Sequence, residues 1–449
     1  MLAMLPVAEK LRDEENTKPV FFLFRKGRFN SEHYRMIERL DIEWMEPDAL
    51  AYLPRERDFS LGKKFSKLLP GGLGSLWMLG LHYKRLLHMA KSVLQRESVC
   101  ALVLMGDRHV GWETSLIAQA NKIGVPSLIV PFAASGPKGG ALFRLKKGDD
   151  LAMYQVRGVM NRLSAGLYPE WVYEYDGQRL LFYPGSNALV ARIMGIMPDK
   201  PWTLLGGSAT CAAVENRILF DRFIEQGVSR DKMVITGHPQ LDASIKYLND
   251  IDISQKRDEL RANGEQRLIV FAIPHMAEHA LLPWDQHMKL IEYTIERIRQ
   301  FEDYCLVLNL HPKSDRSRYE YLENKYGIAI SLESVYSLIP LCDVFMAAHS
   351  STVMQAIGLR KPSIVLDYFG IGADMYGDAP GVALVNITEH PNTLSNELER
   401  LLRPSFLAEL HQKQSCESNN WIIYDGRSTD RVVEQLLTLI SVHETRSAA

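Results

Sequence analysis

Between Cys305 and Gly370 the sequence reads CLVLNLHPKSD and, further on, CDVFMAAHSSTVMQAIGLRKPSIVLDYFG. Two apolar runs, Tyr304–Leu310 and Asp343–Ala347, are continuous rather than alternating, the pattern of strands buried on both faces of a parallel sheet. Each run stops abruptly in polar residues: His311-Pro312-Lys313 after the first, His349-Ser350-Ser351-Thr352 after the second. Val353–Leu359 then has the pattern of a helix and Ser363–Asp367 that of a further strand. Such an order constrains this part of the chain to an open α/β sheet, in which ligands bind beyond the carboxyl ends of the strands. Hydroxyls and free N–H groups where a helix begins can hold an anion. His311, Lys313, Ser350, Ser351 and Thr352 are therefore the expected phosphate ligands, with Gly237 and Asp367 at two other strand exits. His-Pro also simply ends strands, and Ser and Thr are common helix caps. The presence of both motifs at neighbouring strand ends favours a site.

The same alternation recurs on both sides of this stretch. At 449 residues the chain exceeds one ordinary core, so two domains are expected, residues 1–235 and 236–449. In the first, VFFLF at 20–24 and Ser98–Met105 read as strands, Trp112–Lys122 as a helix and Ser127–Val130 as a strand, a parallel βαβ crossover. Asp107, Arg108, His109 and Glu113 gather after its second strand. Asp107, or failing it Glu113, is placed to act as a general base; equally, Asp107 can cap the loop and Glu113 complement the helix dipole. Residues 133–140 read as a loop and 209–226 as one helix. In the second half, strands are expected at Arg267–Ala272, Ile328–Ser331 and Val382–Val385, and helices at Trp284–Phe301, Tyr319–Tyr326, Asn392–Leu402 and Thr429–Ser441. The fold class is α/β: two Rossmann-like domains with a cleft between them and a C-terminal helix.

Composition narrows the function. The 52 basic and 54 acidic residues leave no broad nucleic-acid footprint, and five scattered cysteines suggest reduced thiols in a cytoplasmic protein. No apolar run approaches a transmembrane helix, and the start lacks a signal-peptide pattern. The segment 68–94 is amphipathic, with Lys63, Lys64, Lys67, Lys84, Arg85 and Lys91 around it, which allows a weak peripheral membrane contact as well as a buried helix with a solvated side. His275-Met276-Ala277-Glu278-His279 has the H-x-x-E-H spacing of some zinc proteases. Pro274 and Pro283 confine it to barely two turns with no third ligand, so His275 and Glu278 are read as a loop facing the cleft, and no metal is expected.

These residues resemble the GT-B glycosyltransferases and the UDP-N-acetylglucosamine 2-epimerase group that shares their fold, over most of residues 99–440. VLMGDRHVGWETSLIAQANKIGVPSLIV is similar to the epimerase segment in which Gly-Asp ends a strand, and VITGHPQLD to the entry into the second domain. SSTVMQAIGLRKPSIVLD is similar to the nucleotide-binding element, and YDGRSTDRVV to a helix start of polysaccharide-assembly transferases. The glutamates that epimerases carry after the hydroxyl turn are replaced here by Gln355 and DYFGIGADMYGD. His-Pro with Ser-Ser-Thr instead resembles bacterial sialyltransferases, Kdo transferases and CDP-glycerol polymerases.

The resemblance implies a nucleotide-sugar-dependent transferase of capsule or lipopolysaccharide synthesis, acting without metal or added cofactor on a glycan or lipid-linked acceptor. A CMP- or CDP-linked donor is favoured and UDP is left open. The protein would be cytoplasmic or peripheral to the inner membrane face. His311, Lys313, Ser350, Ser351 and Thr352 would stabilise the departing phosphate, and Asp107 or Glu113 would deprotonate the acceptor. The epimerase alternative would use Asp107, Glu113 and His275 for proton abstraction; a non-catalytic binding protein of the same fold is a third reading.

Overall fold

The structure, a computed structural model, describes residues 4–14, 17–23, 31–45, 73–130, 136–146, 148–260, 266–311, 314–377 and 379–448. The basic residues Arg25, Lys26 and Arg28, the lysines at 63, 64 and 67, residues 68–72 of the amphipathic segment, and Lys313 lie outside them.

Fourteen strands are named here in chain order. Val20–Phe22 (β1) and Glu43–Met45 (β2) form a small parallel pair. Leu102–Leu104 (β3), Ser127–Ile129 (β4), Cys211–Val214 (β7) and Met233–Ile235 (β8) form a four-stranded parallel sheet in the order β3-β4-β7-β8. Val172–Tyr175 (β5) and Gln178–Leu181 (β6) are an antiparallel hairpin. The second sheet contains Arg267–Ala272 (β9), Tyr304–Asn309 (β10), Ala329–Ser331 (β11), Val344–Ala347 (β12), Ser363–Leu366 (β13) and Val382–Val385 (β14). Its order is β11-β10-β9-β12-β13-β14, all parallel. Counted from its own first strand this is 3-2-1-4-5-6, the Rossmann order, whose crossovers reverse direction between β9 and β12.

The continuous apolar runs are central because helices cover both faces of the second sheet. Leu268, Ile269, Val270 and Phe271 of β9 are all fully buried, with alternate residues entering two separate clusters. Each such side chain contributes about 1.5–3 kcal/mol. This is why β9 and β12 form the rigid floor from which the site's loops emerge.

Two local expectations change, and one helix is added. Residues 209–226 are not one helix: Cys-Ala-Ala-Val at 211–214 is β7, buried throughout, and Asn216 caps a helix at Arg217–Glu225 by accepting from the Leu219 N–H at 2.8 Å. Alanine's helix propensity there yields to burial between two parallel neighbours. Pro137–Leu145 is a helix, with proline at its first turn, where sequence pattern placed part of a loop. Pro404–Trp421, absent from the reading above, is an 18-residue helix with the weak amphipathic pattern of a largely exposed one.

The last helix, Ser428–Ala448, returns to the first sheet. Its Val432, Val433 and Leu436 pack with Val7 and Leu11 and with Leu128, Val130, Cys211 and Ala213 of the first half. A polar clasp fixes that return. Asp242 accepts from the Ser428 and Thr429 N–H groups at 3.2 and 2.6 Å, capping the helix. Arg431 donates to the Thr236 carbonyl at 2.7 Å and forks onto Asp425 at 2.8 and 2.9 Å, holding that carboxyl below its usual range. Gly237, at φ 84°, lies against Ser428 so closely that a Cβ would stand 2.3 Å from its Oγ. The segments TGHPQLD and YDGRSTDR thus meet as one joint between the halves.

Candidate functional site

The loops after β9, β10 and β12 open at the topological switch point of the second sheet. Ala272 of β9 and Ala347 of β12 are paired in register, so the chain leaves both strands at the same level. His275 follows the first, His349 the second, and His311 follows β10. The His275 and His311 rings meet edge to face with centroids 4.2 Å apart. His275 is half-buried and His311 exposed.

Behind His275 stands a polar network. His275 Nε2 is 2.7 Å from Ser314 Oγ, which donates to Glu278 Oε1 at 3.3 Å. The Tyr319 hydroxyl donates to the same Oε1 at 3.1 Å and lies 3.2 Å from the buried His287 Nε2. Residues 276–280 form a turn rather than a helix of the zinc-protease kind, with Ala280 at φ 55°.

The hydroxyl turn is tightly self-bonded. Ser350 Oγ lies 2.7 Å from Thr352 Oγ1 and accepts from the Thr352 N–H at 3.3 Å. The Ser350 N–H donates to the Tyr376 hydroxyl, which in turn donates to the Ser350 carbonyl. Ser351 precedes the Thr352–Gly358 helix without a side-chain cap bond. All three hydroxyl residues are half-buried beside β9. His349 places Nε2 3.2 Å from Asp367 Oδ1 and stacks on Phe369. Asp367 also accepts from the N–H groups of Ile371 and Gly372 at 3.0 and 2.9 Å. Burial pushes its carboxyl up, but His349 and these N–H groups outweigh burial and hold it below the usual range. Asp367 therefore braces the loop and His349, a residue the sequence reading quoted without assigning it a role.

The first half supplies the facing wall through the Pro137–Leu145 helix. Lys138 pairs with both oxygens of Asp374 at 2.7 and 2.8 Å, Phe143 meets His279 edge-on at 5.7 Å, and Lys146 lies 5.7 Å from the Phe369 ring. Behind this wall Arg144 donates to the carbonyls of Phe182 and Gly140 and stacks on Phe182 and Trp202. Burial pushes its guanidinium down to about 10, and burial with Arg108 and Arg144 pushes His109 down to about 4. His109 is thus held as a neutral ring.

Asp107 is not at the cleft surface. Its side chain is fully buried, and Oδ2 is paired with Lys232 Nζ at 2.6 Å and accepts from the Ala209 N–H at 3.4 Å. Lys232 also donates to the carbonyls of Leu205 and Gly207 at 2.8 and 2.7 Å. Gly207 packs on Asp107 so tightly that a Cβ would stand 2.0 Å from its carbonyl oxygen. A carboxylate so enclosed ties β3 to the segment before β7. Glu113 is exposed in the first turn of the Trp112–Lys122 helix, where it complements the helix dipole. Gly237 belongs to the clasp rather than to the phosphate turn. Of the residues singled out from sequence, His275, His311, Ser350, Ser351, Thr352 and Asp367 come to one end of the second sheet, and Asp107, Glu113 and Gly237 do not.

Residues 215–438 match the family described as CDP-Glycerol:Poly(glycerophosphate) glycerophosphotransferase. No curated protein matches the sequence. Among solved structures, the UDP-GlcNAc 2-epimerase from Neisseria meningitidis bound to UDP-GlcNAc is similar with a TM-score of 0.54 at 11% identity, over 97% of this chain and 96% of that one. The S. aureus MnaA–UDP structure gives 0.52 at 14% identity, over 98% and 94%. A glycosyltransferase from Rickettsia africae gives 0.51 at 9% identity, over 98% and 94%. With the Rossmann strand order and the paired sheets, these likenesses show a fold of the GT-B type, and residues 215–438 are similar to the glycerophosphotransferase family.

Proposed function

We propose that the protein transfers a group from a CDP-linked donor to a hydroxyl of a bacterial surface polymer. The observation that carries this reading is the meeting of His275, His311 and the Ser350–Thr352 turn at adjacent strand ends, inside the segment that matches the glycerophosphotransferase family. Residues 236–449 would hold the donor and residues 1–235 the acceptor, with the final helix spanning both. His275 would take the proton of the attacking hydroxyl. His311 and the hydroxyls at 350–352, joined by Lys313 from its place in the sequence, would stabilise charge on the departing nucleotide phosphate. The family match favours a phosphodiester-linked polymer over the capsule or lipopolysaccharide glycan expected from sequence. Attack at phosphorus breaks the pyrophosphate bond and releases CMP; attack at a sugar carbon breaks the glycosidic bond and releases CDP.

The test separates these outcomes directly. The full chain is incubated with CDP-glycerol, a CMP-linked sugar or UDP-GlcNAc, with and without a glycerophosphate-primed acceptor, and nucleotides are resolved by chromatography. Acceptor-dependent CMP release from CDP-glycerol is expected. Conversion of UDP-GlcNAc without acceptor, with solvent exchange at the sugar C2 hydrogen, would instead establish an epimerase.

The same proposal includes docking at an anionic membrane surface, where a lipid-linked acceptor would be met. Its support is a surface broader than the amphipathic 68–94 segment. On the Val159–Leu167 helix, Val159, Leu163 and Leu167 recur every four residues and are exposed, Val159 by 82%. Tyr168, next in sequence, lies under Arg192, the neighbour of Ile193, which is 83% exposed. Gly80 of the Leu73–Arg96 helix abuts Val190, within one turn of Ile193, and Trp77 is 67% exposed one turn before it. Exposed Lys84, Arg85 and Arg162 lie on the same helices. Apolar contact with a basic rim suits an anionic bilayer.

A further inference from the structure

The H-x-x-E-H segment and the turn after β10 assemble a relay whose polarity follows from the chemistry of its members. A carboxylate only accepts, so the Ser314 hydroxyl spends its single proton on Glu278 Oε1. Its oxygen is then left with lone pairs for His275 Nε2, 2.7 Å away, which must be the donor. The Tyr319 hydroxyl likewise gives its proton to Oε1, so His287 Nε2 donates to it. Two imidazoles thereby point their Nε2–H, each through one hydroxyl, at one carboxylate oxygen. Glu278 Oε2 is buried and has no hydrogen-bond partner among the described residues. Among the described residues the carboxylate is met by the hydroxyl dipoles of Ser314 and Tyr319, and its field acts on the rings.

We infer that Glu278 is a positioning residue which, through Ser314, fixes His275 as the Nε2–H tautomer and raises its basicity, leaving Nδ1 as the proton-accepting nitrogen. This rests on the reading of His275 as the proton-taking group. Among the described residues, other charged or titratable groups around the ring include His279, 5.7 Å away, His311, His287, Tyr319 and its neighbour Arg318. Glu278 supplies negative charge to the cluster, which is why its removal should be felt at His275.

The experiment uses the full chain labelled with ¹⁵N-histidine. Long-range proton–nitrogen spectra read the tautomer and titration of each ring, and a pH–rate profile is recorded in parallel. In the parent, His275 carries its proton on Nε2 when neutral. In Glu278→Gln the amide can donate to Ser314, so the hydroxyl turns to His275; the tautomer shifts toward Nδ1–H and the imidazolium titrates about one pH unit lower. Ser314→Ala lowers it similarly, and Glu278→Asp restores part of the parent titration. Tyr319→Phe is the control, disturbing His287 while leaving the His275 tautomer in place. Parent-like His275 signals in folded Glu278→Gln and Ser314→Ala would overturn the relay. Altered His275 signals with an unmoved pH–rate profile would keep the relay and remove His275 from the chemistry instead, so the two failures are distinguishable.

Discussion

Asp107→Asn decides whether that residue serves structure or chemistry. Its carboxylate and the Lys232 ammonium are both withdrawn from water, with side-chain exposures of 0% and 13%. Removing one partner of such a pair costs about 3–5 kcal/mol because the other charge stays buried. After Asp107→Asn, Lys232 keeps two carbonyl acceptors and an amide oxygen, so the loss falls near the lower end. After Lys232→Met the carboxylate keeps one long N–H contact, from Ala209, so that loss falls near the upper end. With about 2–4 °C per kcal/mol for a unit of roughly 200 residues, unfolding of the first half should move down by roughly 6–12 °C in Asp107→Asn and further in Lys232→Met. Asp107→Leu with Lys232→Met, which removes both charges, should recover part of the loss. Calorimetry gives the melting shift, and turnover measured well below it should stay close to that of the parent. Parent-like melting with turnover reduced a hundredfold or more would refute the argument and return Asp107 to the role of base.

Four further outcomes are expected. Burial pushes Glu215 up to about 8, far above an ordinary carboxylate, so the folded state holds a proton that the unfolded state releases from about pH 4.5 upward. Stability should therefore fall between about pH 4.5 and 8 by several kcal/mol and level off above, and Glu215→Gln should flatten that slope in melts across pH. Gly237→Ala should cost at least about 1–2 kcal/mol from its left-handed backbone, more once Ser428 is displaced, and equilibrium denaturation reads it. His311→Ala should weaken CMP or CDP binding by about 1.5–3 kcal/mol in calorimetry while the melt stays put; equal affinity would remove His311 from the site. Leu163→Asp with Ile193→Asp should abolish low-salt sedimentation with anionic vesicles, and a parent that does not sediment would end the membrane reading.

What the sequence made legible was whatever burial dictates. β9, β10, β12 and β13 are buried on both faces, so continuous apolar runs marked them, and abrupt polar stops marked the loops that carry His275, His311 and Ser350. β7 was misread because its Cys-Ala-Ala-Val carries no β-branched signal until its last residue. Asp107 illustrates a different limit. A strand-end carboxylate looks the same in sequence whether it faces a cleft or a lysine that arrives 125 residues later. The relay behind His275 was half visible: the spacing of His275 and Glu278 stood out, but Ser314, which joins them, comes from the next strand's turn.

Two of the places where the halves meet differ in kind. At the clasp, Asp242, Thr236 and Gly237 hold the start of the last helix through helix-capping bonds and a forked arginine, backed by the apolar packing of Val432, Val433 and Leu436. Across the cleft the described contacts include an ion pair about two-fifths exposed, Lys138 with Asp374, and ring contacts of Phe143 and Lys146; nearby, Arg222 donates to the Met375 carbonyl and lies over the Trp421 ring. An exposed pair of that kind contributes at most about 1 kcal/mol and weakens with salt. The buried helix face is worth several times as much, since each fully buried aliphatic side chain contributes about 1.5–3 kcal/mol. A substrate entering between the Pro137–Leu145 helix and the histidine loops therefore displaces little of what holds the molecule together. The groups assigned to chemistry all rise from the rigid floor of β9, β10 and β12, so their mutual geometry does not depend on how far the opposite wall stands away.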